Sequence, residues 1–194
     1  MLYNKPMRII LASASPRRQQ LLRNIVKDFV TVTSNADESL VMDTPEDNVM
    51  NIAKNKALSV ARAKDDLVIG SDTTVYMDGA YYNKPADEED ARRMLRELSG
   101  RVHTVYTGVC IVYKDMVRCF YDKTAVKFNE LDDKFIEEYV ASGSPMDKAG
   151  AYGIQDGNII ESYEGDYTAI MGLPVKKLRT ALREILNNGS ENSY

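Results

Sequence analysis

Short apolar runs typical of strands, and apolar residues at helical spacing, occur in turn along this chain. The first apolar run leads straight into the first predicted helix. Residues 9–12, Ile-Ile-Leu-Ala, are apolar with β-branched side chains, which predicts a buried strand. A helix is predicted after it, because Ser15 can cap the first turn and Pro16 stands where a missing N–H costs nothing. Residues 8–23 are therefore predicted to form a strand that runs into a helix N-terminus.

The second predicted helix begins at Thr44 and Pro45, where a hydroxyl cap, a proline and two acids in the first turn coincide. It extends to about residue 63, and its apolar residues recur at helical spacing. Lys56 falls within this apolar stripe, whereas Lys54 points away from it. Two lysines of one helix are thus predicted to have different surroundings.

Asp78-Gly79 is the strongest hairpin signal in the sequence and ends a strand predicted over residues 67–77. Counting back from this turn places Thr73 opposite Lys84, so that Asp72 and Lys84 come within about one residue of each other across the ladder. An ideal ladder would put these two side chains on opposite faces. Only a bulge or the end of a strand would let both serve one site.

The remaining elements mix strands and helices without strict alternation. They are a strand over residues 29–33, helices over 87–98 and 132–142, a hairpin of strands 102–113 and 116–128, a glycine-punctuated loop over 143–157, a hairpin turn at 164–166 and a terminal helix from Pro174. We expect residues 1–187 to form one domain and 188–194 a disordered tail. The pattern predicts an α/β fold with a mixed, twisted sheet flanked by helices and two lobes around a central cleft.

Composition narrows the class of protein. With 194 residues, 44% apolar and 28% charged, the chain is typical of a globular domain, and no window approaches the ~18 apolar residues of a membrane span. Residues 1–6 are polar and show no signal peptide, so we expect a cytoplasmic protein. A net charge of -4 argues against binding to a nucleic-acid polymer, and neither that nor a membrane is an expected partner.

Cysteine and histidine offer little metal-binding capacity. The predicted hairpin puts Cys110 opposite Cys119, and a disulfide is geometrically conceivable, but a reducing compartment implies two thiols. His103, the only histidine, lies on an alternating strand and is predicted to be a half-exposed structural residue. One histidine and two cysteines do not make a typical zinc site, so any metal would be a hard cation on carboxylate oxygens.

The junction between the first strand and helix concentrates unpaired N–H groups and the positive end of the helix dipole. Ser13, Ser15, Arg17 and Arg18 surround it with two hydroxyls and two guanidiniums, which bind phosphate oxygens well. We interpret this stretch as a polyphosphate cradle. An ordinary capped helix with solvated arginines is the alternative.

No P-loop and no GxGxxG fingerprint is present, so kinase-like and dehydrogenase functions lose their main support. The remaining carboxylates and bases suit phosphoryl chemistry: Glu38, Asp72, Lys56, Lys84, Arg17 and Arg18.

Eight motifs resemble the Maf family of nucleoside triphosphate pyrophosphatases. They are SASPRR at 13–18, DE at 37–38, AKNKA at 53–57, GSDTTV at 70–75, NKP at 83–85, LSGRVHTVYTGV at 98–109, MDKAGAYGIQ at 146–155 and MGLP at 171–174. The resemblance spans nearly the whole chain in order. It implies a fold like that of inosine triphosphatases. Within the family, the motifs resemble the branch that hydrolyses dTTP and UTP rather than the branch that acts on 7-methyl-GTP. The segment 156–159 is shorter than the family's common glycine-rich version.

The resemblance also implies roles for individual residues. Asp72 would be the general base, with Glu38 and Lys84 completing the catalytic set. Substrate would be bound by Ser13, Arg17, Arg18, Lys56, Thr73 and Gln155. Three of these, Arg17, Thr73 and Gln155, would set the choice of substrate.

Physical chemistry agrees with these roles. Four cationic side chains and the helix N-terminus would neutralise the roughly four charges of a nucleoside triphosphate, helped by Mg²⁺ or Mn²⁺ held by Glu38, Asp72 and phosphate oxygens. Water aligned by Asp72 or the metal would attack the α-phosphorus and expel pyrophosphate. Gln155 offers a donor and an acceptor, which suits the edge of thymine or uracil.

Each position also has a plainer interpretation. Glu38 could be a solvated loop acid, Asp72 could merely end a strand, Lys84 could merely follow a hairpin, Gln155 could bond loop backbone, and Lys56 could extend along its stripe to water. Two other functions stay open: a non-enzymatic regulator, since the family is associated with arrest of septum formation, and an enzyme that clears modified nucleotides. The assembly is open between a monomer and a homodimer.

Overall fold

The computed structural model describes residues 7–39 and 42–191, and within them seven strands form one mixed sheet flanked by six α-helices. The strands are β1 (Arg8–Ala12), β2 (Val30–Thr31), β3 (Asp66–Met77), β4 (Ala80–Tyr82), β5 (Val102–Tyr113), β6 (Met116–Phe128) and β7 (Ile160–Glu164). The helices are α1 (Pro16–Arg23), α2 (Pro45–Val60), α3 (Glu88–Leu98), α4 (Asp133–Ala141), α5 (Tyr167–Ile170) and α6 (Val175–Glu191). Two short 3-10 helices, Ser144–Asp147 and Ala149–Ala151, lie between α4 and β7.

The strand order is β2-β1-β3-β5-β6-β7, and β4 pairs with the far half of β3. The pairs β1–β2 and β1–β3 are parallel, whereas the pairs β3–β4, β3–β5, β5–β6 and β6–β7 are antiparallel. The predicted α/β fold with a mixed sheet is therefore confirmed. None of the helices in the described ranges has the length and apolar character required to cross a bilayer.

Helix α2 packs directly on the sheet because two glycines leave room for its backbone. A Cβ at Gly70 would lie 2.1 Å from Ala53 O, and one at Gly108 would lie 2.4 Å from the Val49 backbone. This close approach brings the inner side of α2, including Lys56, against β3. Since larger residues at either glycine would push the helix away, the glycines set the depth at which Lys56 meets the sheet.

Two apolar cores lie on one face of β3 and are separated by polar side chains. Leu67 and Ile69 belong to the core packed against α1 and α6, whereas Val75 and Met77 belong to the core packed against α3 and α4. Because side chains alternate along a strand, the residues between them on that face are Ser71 and Thr73. The interruption between the two cores marks the floor of a cleft.

The edge of β3 is also open at this point. Strand β1 ends with Ala12 opposite Gly70, and β4 ends its pairing with Tyr82 opposite Val75. Between them, no strand of the described chain lies beside residues 71–74 on that edge. Side chains from both faces of β3 can therefore reach one opening. Strand β4 ends at Tyr82, just before Lys84. A strand end was one of the two conditions under which Asp72 and Lys84 could serve one site.

The cysteine hairpin has the predicted strands and turn, but its thiol state differs from our expectation. Cys110 pairs with Cys119 in the ladder, and the structure joins them in a disulfide. The prediction of two thiols is thus wrong for this structure. It came from the expected compartment, whereas the pairing follows from two cysteines directly opposite on neighbouring strands.

Two other predictions need correction. Residues 164–166 do not form a hairpin turn, because β7 ends at Glu164 and Asp166 caps α5. Helix α2 ends at Val60 rather than near residue 63. Helix α6 extends to Glu191, and residues 192–194 lie outside the described part, as do 1–6, so the disordered tail over 188–194 stays a prediction.

His103 is buried rather than half-exposed, with only 2% of its surface accessible. Its Nε2 lies 2.8 Å from the Tyr152 hydroxyl, and its Nδ1 has no hydrogen-bond partner among the described residues. Its ring packs edge-on against Phe128 and Tyr152. Burial lowers the pKa of His103 from 6.5 to about 4, so the folded protein keeps this ring neutral.

We expect His103 to make the protein less stable in mild acid. Between about pH 6.5 and 4 the unfolded chain binds a proton at this ring and the folded chain does not, so the free energy of unfolding falls as the pH falls, by on the order of 3 kcal/mol at most. Urea unfolding of the parent and of His103→Gln at pH 7.5 and 4.5 measures this. The parent should lose more stability than the variant, and equal losses would contradict the expectation.

Candidate active site

One cleft of about 660 Å³ opens where β1, β3 and β4 leave the sheet edge uncovered. Every residue that we predicted for the site lies on its wall: Ser13, Arg17, Arg18, Glu38, Lys56, Asp72, Thr73, Lys84 and Gln155. The cleft thus combines side chains from β1, α1, α2, β3, the segment after β4 and the loop before β7.

The centre of the cleft is a lysine held between two carboxylates. Lys56 Nζ lies 2.8 Å from Asp72 Oδ1 and 2.9 Å from Glu38 Oε2. Lys56 is 5% exposed and Asp72 is 7% exposed, whereas half of the Glu38 side chain is accessible. The lysine therefore ends in an ion pair inside the cleft and does not extend to water. Asp72 lies in the middle of β3 and does not end the strand.

Charges in the cleft keep Glu38 ionised. Partial burial alone would raise the pKa of Glu38, but Lys56, with smaller contributions from Lys84 and Arg18, lowers it below its usual value. Glu38 is therefore a carboxylate at neutral pH. Although it lies on an exposed loop, it is part of the charged centre and not an isolated surface acid.

Arg18 is held firmly at the start of α1. Its Nε donates to Gly172 O at 2.9 Å, its Nη2 to Thr73 Oγ1 at 3.0 Å and its Nη1 to Ser13 Oγ at 3.4 Å. Burial lowers the pKa of Arg18, while Asp72 and Glu38 raise it. Arginine remains protonated throughout the physiological range. The result is a preorganised cation beside the helix N-terminus.

Thr73 is oriented by a residue that the sequence analysis did not single out. Its Oγ1 lies 3.0 Å from the hydroxyl of Thr107, which donates to Ala169 O at 2.7 Å. Since the Thr107 proton goes to Ala169 O, Thr73 donates to Thr107 and accepts from Arg18. Thr107 thus helps to position Arg18. Only the pairing of β3 with β5 brings Thr107 opposite Thr73.

Three predicted side chains face the cleft with few partners of their own. Lys84 and Gln155 are exposed, and neither side chain has a hydrogen bond or an ion pair within residues 7–39 and 42–191. Gln155 therefore does not bond loop backbone. Arg17 Nη1 lies 3.5 Å from Asp147 Oδ2. These groups are free, or weakly engaged, at the positions where a substrate would meet them.

The two carboxylates suit a cation that is shared with a phosphate. Asp72 Oδ2 and Glu38 Oε1 accept no hydrogen bond from the described residues, while the other oxygen of each contacts Lys56. No group of three or more acidic, histidine or cysteine side chains in the described chain could hold a metal by itself. Mg²⁺ is commonly coordinated by one or two carboxylates together with phosphate oxygens and water, and Asp72 and Glu38 fit this coordination preference.

The fold and the cleft define an α/β protein in which cationic side chains and a helix N-terminus line one opening, an arrangement that favours an anionic ligand. Residues 8–185 match the family model described as Maf-like protein, so the chain belongs to the Maf family.

Relatives match over most of both chains. A dTTP/UTP pyrophosphatase of Clostridium perfringens strain SM101 is 46% identical over 184 residues, covering 91% of this chain and 96% of its own. The proteins of that name from Thermococcus gammatolerans and Aquifex aeolicus are 46% and 43% identical, covering 92% of this chain and 99% and 96% of their own. A solved HAM1 protein from Coxiella burnetii is 16% identical with a TM-score of 0.50, covers 92% of this chain and 99% of its own, and is similar in fold alone.

Proposed function

We propose that this protein is a nucleoside triphosphate pyrophosphatase that hydrolyses dTTP and UTP to the monophosphate and pyrophosphate. Relatives of that name, 43–46% identical over nearly the whole chain, support the reaction and the substrates. The observation that carries the proposal is the Lys56 ammonium between Asp72 and Glu38, in the same cleft as Arg18 and the N-terminus of α1.

The cationic side of the cleft would bind the triphosphate. Arg18 is already held in place and Arg17 is directed by its contact with Asp147, whereas Lys84, which has no partner among the described residues, can adjust to phosphate oxygens. The N–H groups at the start of α1 add the favourable end of a helix dipole. A divalent cation, Mg²⁺ or Mn²⁺, would be held by Asp72 and Glu38 and would supply charge neutralisation at the reacting phosphate.

Asp72 would act as the general base. Its Oδ1 is fixed by Lys56, and Oδ2 has two lone pairs, of which one would face the cation and the other would take a proton from an incoming water. The water oxygen forms a bond to the α-phosphorus, and the bond from this phosphorus to the bridging oxygen breaks with its electron pair leaving on pyrophosphate. The proton remains on Asp72 until it is exchanged with solvent. Lys56 orients the carboxylate through its contact with Oδ1.

The direct test is which phosphoanhydride bond is cleaved. With Mg²⁺ or Mn²⁺, dTTP and UTP should yield pyrophosphate as the first product. A β,γ-methylene analogue of dTTP should still be hydrolysed, whereas an α,β-methylene analogue should resist. Orthophosphate as the first product would overturn the proposed reaction, and the absence of any product from a nucleotide panel would favour a non-enzymatic regulator.

Base choice is the finer part of the proposal. Gln155 offers an amide donor and acceptor that have no hydrogen-bond partner among the described residues, which suits the N3–H and O4 edge of thymine or uracil. A cytoplasmic location and a homodimer are further proposals, to be tested by cell fractionation and by light scattering of the purified protein.

A further inference from the structure

A partly buried polar cluster, formed by Tyr139, Ser144, Lys148 and Asp156, supports one wall of the cleft. Asp156 Oδ2 accepts from the Tyr139 hydroxyl at 2.6 Å and from Ser144 Oγ at 2.9 Å, and it lies 3.3 Å from Lys148 Nζ. Lys148 is 9% exposed and also donates to the backbone oxygen of Ser144. Each polar group of the cluster has a partner, so the cluster is a stable support rather than a surface contact.

This cluster holds the turn that carries Gln155. Asp156 N donates to Gly153 O at 3.0 Å, which closes the turn, and Gly153 N donates to the Tyr139 hydroxyl at 3.3 Å. The turn lies so close to the cluster that a Cβ on Gly153 would be 2.7 Å from Asp156 Oδ2 and 2.9 Å from Lys148 Cε. Because the Gln155 side chain makes no hydrogen bond to any described residue, the backbone of this turn sets its direction.

The same lysine is connected to Arg17 on the other side. Lys148 Nζ lies 3.1 Å from Asp147 Oδ1, and Asp147 Oδ2 lies 3.5 Å from Arg17 Nη1. Lys148 is thus between two carboxylates. One contacts Arg17, and the other belongs to Asp156, whose backbone N–H closes the turn that carries Gln155. Gln155 and Arg17, which we propose to determine substrate choice, lie far apart in the sequence. Lys148 connects them through its contacts with Asp156 and Asp147.

We propose that Lys148 is a positioning residue for substrate choice, which fixes Gln155 and Arg17 relative to each other through Asp156 and Asp147. The inference rests on the proposed function. Discrimination by hydrogen bonds depends on how well donor and acceptor are placed, whereas the reacting centre at Asp72 and Lys56 is held by other elements. Loss of Lys148 should therefore affect the choice of base more than the rate of hydrolysis.

The test is Lys148→Met, which keeps the length of the side chain and removes its charge. We expect the ratio of kcat/KM for dTTP over dGTP to fall by at least ~10-fold, while kcat for dTTP changes by less than about threefold. Lys148→Arg retains a cation and should restore most of the ratio. Lys134→Met, at an exposed position of α4, should leave the ratio unchanged.

A double-mutant cycle separates positioning from general disturbance. If Lys148 acts through Gln155, adding Lys148→Met to Gln155→Ala should lower the dTTP-to-dGTP ratio little beyond Gln155→Ala alone. Independent, multiplicative losses in the double variant would overturn the inference. Should Lys148→Met fail to fold by circular dichroism, Asp156→Asn takes its place in the cycle, because it keeps the side-chain shape and removes the ion pair.

The outcomes distinguish this inference from the function on which it rests. Equal losses for dTTP and dGTP, or an unchanged ratio in a folded Lys148→Met protein, would show that the cluster has only a structural role. A parent protein without preference for dTTP would overturn the proposed substrate choice, and the positioning role with it. Preference in the parent that survives Lys148→Met overturns the inference alone.

Discussion

Replacing Asp72 with asparagine is expected to lower kcat for dTTP by ~100-fold or more. Asparagine keeps the shape of the side chain and an oxygen that can face Lys56, but it cannot take a proton from water. Asp72 is 7% exposed and its Oδ1 lies 2.8 Å from Lys56 Nζ. Bulk water therefore cannot take over as proton acceptor at this position unless the site rearranges. The measurement is steady-state pyrophosphate release at saturating dTTP and divalent cation.

Glu38→Gln is the matched comparison, because Glu38 contacts the same lysine nitrogen at 2.9 Å. Half of the Glu38 side chain is accessible, and we propose that it helps to hold a cation and not that it takes the proton. Its substitution should therefore raise the KM for dTTP and the cation requirement more than it lowers kcat. An unchanged kcat in Asp72→Asn, together with a large loss in Glu38→Gln, would transfer the base role to Glu38.

Local features could be predicted from the sequence because neighbouring residues determine them. The Ser15 cap and Pro16 define the start of α1, and Ser15 Oγ accepts from Arg18 N as expected. Asp78 and Gly79 both adopt positive φ values of 51° and 84°, which the two-residue turn requires. The placement of Lys56 inward and Lys54 outward is confirmed for the same reason, since helical spacing alone decides it.

The shape of the cleft could not be predicted in this way. It depends on where the pairing on that edge of β3 stops, with β1 ending opposite Gly70 and β4 ending opposite Val75, and no local signal marks these two ends. For the same reason the analysis missed Thr107, whose position opposite Thr73 depends on the pairing of β3 with β5. The motif at 146–155 was noticed as part of the family resemblance, but its pattern gave no hint that Lys148 connects two acids.

Lys56 and Lys54 offer a controlled comparison of buried and exposed charge. Both lie on α2 and have the same length and charge, yet Lys56 is 5% exposed between two carboxylates. Lys54 is exposed and has no ion pair in the described part of the chain. Methionine removes the charge at either position with little change in size, so the difference between the two variants reports the surroundings and not the substitution.

Lys56→Met is expected to lower kcat/KM for dTTP by at least ~10-fold, whereas Lys54→Met should leave it nearly unchanged. Without Lys56, Asp72 and Glu38 face each other with no shared cation. The loss of this partly desolvated ion pair costs ~2–5 kcal/mol of interaction free energy. A screened surface charge such as that of Lys54 contributes at most ~1 kcal/mol. Lys56 is also the main cation that lowers the pKa of Glu38, so this pKa should rise in Lys56→Met and be unaffected in Lys54→Met.

Steady-state kinetics and thermal unfolding of the two variants measure the contrast. A Lys56→Met protein that stays fully active and gains thermal stability would show that the lysine serves neither base nor phosphate, and the reacting centre would then have to lie elsewhere in the cleft.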